Sequence, residues 1–126
     1  MTVADALTRM ITISHNYAAL LLSEKLKLST VVAWLSRHGF AESRLGTDGS
    51  APTTTASDIA LFFEKLEKGD LANKEHTDAM LELLKQQELN NKFPKYLPKG
   101  TVIAHKTGEV GAFTHDAGIV YGKNPY

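Results

Sequence analysis

The chain has 126 residues, 43% of them hydrophobic and 22% charged, a composition suited to one globular domain with its own core. Lys plus Arg and Asp plus Glu each number 14, so the net charge is zero and neither a nucleic-acid surface nor a charged tail is indicated. Cysteine is absent, which excludes a disulfide framework and thiolate metal ligation. The longest apolar run, residues 18–22, is far too short to span a bilayer, and no charged-then-apolar leader pattern opens the sequence.

Thr2 and Asp5 have the spacing of a capping box, and Val3, Leu7, Met10 and Ile11 repeat at helical intervals. They predict a first helix ending near Ile11. Residues 12–16 interrupt it with side chains that compete for backbone hydrogen bonds. A second helix is expected over about 17–26; its stretch 18–22 is apolar all round, which predicts the most buried helix of the chain. Ser29 is the expected N-cap of a third helix carrying Val31, Val32, Trp34 and Leu35, and Gly39 its stop. Residues 41–54 lack periodicity and contain Gly46, Asp48-Gly49 and Pro52, so they read as loop. Thr55 and Asp58 form a second capping box before the apolar face Ile59, Phe62, Phe63 and Leu66, with Gly69 at the end. Asn73 caps a fifth helix on which Met80, Leu83, Leu84 and Gln87 share a face. Residues 90–100, with Pro94 and Pro98, read as a connector with one helical turn.

Residues 101–110 give the clearest strand signal, and the apolar run 117–121 follows after a short polar connection. Together they predict a C-terminal β-hairpin carrying Lys106-Thr107-Gly108 at one end. Two strands alone are marginal and leave both edges open, so self-association through the hairpin edges is expected. The expected fold class is mainly α with a C-terminal β-hairpin.

Lysine, threonine and glycine together can grip a carboxylate, supplying a charge, a hydroxyl and close access to the backbone; the same three residues also suit a turn. Ser14-His15-Asn16, at the break between the first two helices, can cap the second helix or line a cleft. The five histidines show no pair at metal-site spacing, so neither a metal nor another cofactor is expected.

Ser14-x-Asn16 before an apolar helix, followed several helices later by Lys106-Thr107-Gly108 on a strand, resembles the penicillin-recognising serine acyltransferases. These are the class A β-lactamases and D,D-peptidases. Residues 52–60 are similar to the family's entry into the helix after its omega loop. His105 to Gly108, followed by the stretch 115–121, resembles its third and fourth strands. The resemblance covers nearly all of the chain but only the central-to-late part of the family's domain. It therefore implies a helical subdomain plus two strands of a β-lactamase/transpeptidase-like α+β fold. Residues 1–126 would be one partial domain, with 1–100 its helical part and 101–126 the hairpin.

The resemblance also implies roles. Ser14 would relay a proton to the leaving nitrogen, and Asn16 would hold the substrate amide. Lys106 would keep the field around Ser14 positive, Thr107 would bind the substrate carboxylate, and Gly108 would let substrate lie along the strand. The backbone N–H of Glu109 would be an oxyanion donor. The implied ligand is a β-lactam or a peptidoglycan-type peptide ending in D-Ala-D-Ala, met outside the cytoplasm.

Three departures stand out. None of the seven serines is followed three residues later by lysine, so the family's Ser-x-x-Lys nucleophile is not in this sequence. A fragment, itself inactive, is expected. His15 replaces the usual aspartate. The loop 41–54 contains a single glutamate, Glu42, followed four residues later by Gly46, and lacks the Glu-x-x-x-Asn pattern of class A enzymes.

Overall fold

The computed structural model describes residues 1–123. It contains α1 (Val3–Thr12), α2 (Asn16–Leu26), α3 (Leu28–Arg37), α4 (Ala56–Lys68), α5 (Lys74–Lys85), a 3-10 turn (Phe93–Tyr96), β1 (Val102–Val110) and β2 (Phe113–Tyr121). The fold is mainly helical with one two-stranded antiparallel sheet, as expected. The end of the hairpin segment, residues 124–126, lies outside the described residues.

The helix boundaries follow local chemistry. The capping box at α1 is complete: Asp5 N–H donates to Thr2 Oγ1 at 3.1 Å and Thr2 N–H to the Asp5 carboxylate at 3.0 Å. At α4 only half of the box forms. Thr55 Oγ1 accepts from Asp58 N–H at 3.1 Å, whereas the buried Asp58 carboxylate accepts from Glu42 N–H at 2.9 Å and Ser43 Oγ at 2.7 Å. The first turn of α4 thereby holds the start of the 41–54 loop. Asn73 caps α5 through His76 N–H at 2.9 Å. Gly39 and Gly69, both in the left-handed region, close α3 and α4. In each case the next residue donates back into the last turn, Phe40 to Leu35 O at 3.0 Å and Asp70 to Lys65 O at 2.9 Å.

Three expectations on the helices need correction. Ser29 is not an N-cap. Helix α3 starts at Leu28, directly behind Lys27, which ends α2 and begins α3 at φ +62° with no side-chain cap. The backbone reversal at Lys27 replaces the polar cap that Ser29 was expected to supply. Helix α2 is not the most buried either. Ala18 and Leu22 are buried against Ala6, but Tyr17, Leu20 and Leu26 are 56–61% exposed. Its main neighbours are α1 and α3, and the apolar residues Leu20 and Leu26 stay exposed. Third, Gln87 lies just beyond the end of α5, although it is buried.

The hairpin also differs from expectation. Val110 pairs with Phe113, so the connection is Gly111-Ala112 alone, with Gly111 at φ +57°. The polar residues read as a connection belong to β2, and Lys106-Thr107-Gly108 sits mid-strand rather than at one end. Alternation assigns the two faces. Ala104 and Ile119 join Phe63, Leu66 and Leu84 in the main core beneath α4 and α5. The opposite face carries His105 and Thr107 across from Gly118 and Asp116.

Candidate active site

The break between α1 and α2 is tightly wound. Ile13 and His15 both donate their N–H to the carbonyl of Arg9, at 3.3 and 3.1 Å. Ser14, between them, has φ +53°, a left-handed conformation that costs a residue with a Cβ about 1–2 kcal/mol. His15 is the N-cap of α2, its Nδ1 accepting from Ala18 N–H at 3.2 Å. Asn16 is the first helical residue and is exposed. The triplet thus divides its work: His15 caps, while Ser14 is turned elsewhere.

Ser14 meets Lys106. The Lys106 Nζ donates to Ser14 Oγ across 92 positions of sequence, and also to the carbonyl of Thr107 at 2.6 Å. Alternation puts Lys106 on the face of Ala104, two residues further along β1 at the border of the core. Partial burial lowers its pKa from the ordinary lysine range. Repulsion from Lys92 adds to that, and Asp116 opposes it.

Thr107 lies on the other face, 5% exposed, with its Oγ1 buried and free of hydrogen-bond partners among the described residues. An unpaired buried hydroxyl is an available donor. A Cβ built on Gly108 would meet only His115, at 3.8 Å, so the strand surface there is open. Glu109 is exposed, and its carboxylate lies 3.1 Å from Lys92 Nζ.

The sequence reading passed over a second layer. Lys92 is nearly buried, and its Nζ donates to the carbonyls of Gly108 and His115, both at 3.1 Å. It therefore straps the hairpin beside Lys106-Thr107-Gly108 and places a second positive charge there. His105, 1% exposed, lies between Asp116 and Asn90, with Nδ1 2.8 Å from Asp116 Oδ1 and Nε2 2.9 Å from Asn90 Oδ1. Phe93 packs edge-on against its ring at 5.5 Å. A signal for the His105–Asp116 pair was present. Once the turn is placed at Gly111-Ala112, His105 pairs with Gly118 and Asp116 with Thr107, which puts both side chains on one face of the sheet as diagonal neighbours. Lys92 and Asn90, in an irregular connector, offer no such periodicity.

The fold is part of a class A β-lactamase-like α+β architecture, and it brings Ser14 and Lys106 into contact. The sequence pattern of the Beta-lactamase enzyme family matches residues 1–126, and the chain belongs to that family. Among solved structures, PBP-A is 25% identical and superposes with a TM-score of 0.91, covering 99% of this chain and 49% of its own. A variant of PBP-A solved as an acyl-enzyme complex with penicillin G gives 25% identity and a TM-score of 0.90, with 99% and 50% covered. The β-lactamase from Sphaerobacter thermophilus DSM 20745 is 27% identical, with a TM-score of 0.88 over 96% of this chain and 50% of that one. The chain thus spans about half the length of the structures it matches. No curated protein sequence matches it. Among the described residues no helix is long and apolar enough to cross a membrane.

Proposed function

We propose that this chain forms two walls of a serine acyl-transfer site, Ser14-x-Asn16 on one side and Lys106-Thr107-Gly108 on the other. The substrates are β-lactams or D-Ala-D-Ala-type peptides. The nucleophile belongs to a Ser-x-x-Lys segment outside these 126 residues. On this reading residues 1–126 are part of a β-lactamase-like domain working outside the cytoplasm.

The observation that carries the proposal is the contact between Lys106 Nζ and Ser14 Oγ. An ammonium against a hydroxyl favours the alkoxide-like form of that hydroxyl, which suits a proton relay to a leaving nitrogen. Thr107 Oγ1 and the paired charges of Lys92 and Lys106 suit a substrate carboxylate. Asn16 holds the substrate amide, and the Glu109 N–H is an oxyanion donor. The acyl-enzyme of the PBP-A variant with penicillin G supports a penicillin-type ligand for this architecture.

Deacylation is slow on this reading. The only glutamate of the 41–54 loop, Glu42, accepts from Thr55 Oγ1 at 3.2 Å and is occupied at the start of α4. Loss of a general base typically costs about 10²–10⁴-fold. A second reading is a non-catalytic relative that binds the same ligand.

Intact-mass spectrometry with penicillin G tests both. The chain alone forms no adduct. The longer protein read from DNA upstream of Met1 takes up one penicilloyl group on its Ser-x-x-Lys serine and releases it slowly. An adduct on Ser14 in the chain alone would reassign the nucleophile. A folded longer protein that carries Ser-x-x-Lys yet stays unmodified would favour the binding relative.

A further inference from the structure

Ser14 and Lys106 meet although they sit on elements with no covalent reason to be near one another. Their contact is one side of a circuit made of hydrogen bonds and short chain segments. The other side starts at Asp116 on β2. Its Oδ1 faces His105 Nδ1 at 2.8 Å, and His105 Nε2 faces Asn90 Oδ1 at 2.9 Å. Asn90 Nδ2 donates to the carbonyl of Gln87 at 2.9 Å, and Gln87 Nε2 donates to the carbonyl of Ile11 at 2.7 Å. Beside it, Glu88 N–H donates to the carbonyl of Thr12 at 2.9 Å. Ile11 and Thr12 end α1, and Ser14 follows two residues after Thr12.

The polarity of each link is fixed by its neighbour. The Gln87 carbonyl can only accept, so Asn90 must present its amide nitrogen there and its oxygen to His105. That oxygen also only accepts, so His105 Nε2 carries a proton. Nδ1 then faces the Asp116 carboxylate. Two members of the circuit are buried, His105 at 1% and Gln87 at 4% exposed, while Asn90 between them is exposed. Gly118 makes room for His105, because a Cβ at that position would lie 2.5 Å from His105 Cβ.

We propose that Asp116, His105, Asn90 and Gln87 form a polar strut that sets the position of Ser14 relative to Lys106. His105 and Gln87 are positioning residues; they touch neither Ser14 Oγ nor Lys106 Nζ. The strut ties the strand to the end of α1 through directional bonds of fixed length. The core under α4 and α5 supplies only non-directional packing between them. Its purpose rests on the acyl-transfer reading, but its existence does not.

The test is a double-mutant cycle on the intact chain, read by the Lys106 ¹³Cε resonance of lysine-labelled protein. In the native background Ser14→Ala shifts this resonance, because Nζ loses its partner. In the Asn90→Ala background the Ser14→Ala shift falls to less than about half. An undiminished shift overturns the proposal. Asn90 is exposed, so its replacement leaves the fold, checked by circular dichroism, intact. Gln87→Ala gives a second reading: amide exchange at His15, whose N–H bonds Arg9 beside Ser14, speeds by about tenfold, while exchange within α4 is unchanged. Unchanged exchange at His15 also overturns it. In the native chain ¹⁵N spectra show a protonated Nε2 on His105, and a bare Nε2 is a third refutation. None of these readouts uses penicillin. Intact coupling with failed acylation in the longer protein would sink the acyl-transfer reading and leave the strut.

Discussion

Two glycines of the hairpin predict opposite responses to one added methyl group. At Gly118 a Cβ would lie 2.3 Å from the Ala104 carbonyl oxygen, 2.5 Å from His105 Cβ and 2.7 Å from His105 Cα. These atoms belong to the backbone or the root of a side chain in the paired strand, so none can swing aside. Overpacking of this kind costs about 1–3 kcal/mol. Removing a glycine's backbone freedom returns about 0.5–1 kcal/mol. The backbone clash puts the overpacking term at the upper end, so Gly118→Ala should lose about 2 kcal/mol net. Gly108→Ala is the matched control on the opposite strand. Its methyl would meet His115 Cβ at 3.8 Å, an ordinary contact, and stability should change by less than about 1 kcal/mol, toward the stable side. Urea unfolding followed by circular dichroism measures both, with midpoint shifts read at constant slope. The reasoning fails if Gly118→Ala unfolds at the native midpoint, or if Gly108→Ala is the less stable of the two.

Other perturbations address the charges and the loop. Lys92→Met removes a like charge that disfavours protonation of Lys106, so the Lys106 pKa should rise toward the ordinary lysine range; a ¹³C titration that shows a fall would contradict this. Asp58→Asn weakens the acceptor for Glu42 N–H and Ser43 Oγ, at a cost of about 1–3 kcal/mol. Limited trypsin cleavage at Arg44 should accelerate several-fold, and an unchanged cleavage rate would show that Asp58 does not hold the loop.

How legible the chain was depended on whether the interaction was local. Thr2, Thr55 and Asn73 announced three helix starts because a cap is decided within four residues. Gly39 and Gly69 announced two ends for the same reason. Ser29 misled because a cap matters only where the backbone lacks another way to turn, and Lys27 supplied one through a positive φ. The burial of α2 was misread because an apolar run reports what a helix can bury and not what stands beside it. Ser14 and Lys106 stand out in the sequence as an ordered motif pair. The strut between them does not. Gln87 and Asn90 lie in an irregular segment, and their partners at Ile11 and His105 are 76 and 15 positions away. No periodicity encodes such a separation.

The left-handed turn at Ser14 sets two demands on one position. Glycine would occupy φ +53° without steric penalty and would relieve about 1–2 kcal/mol there. It would also delete the hydroxyl that meets Lys106. A search for hardier variants of this chain, scored on survival of the fold alone, would therefore drift toward glycine at 14. Each gain in robustness won there would erase the contact that joins the α1–α2 break to β1.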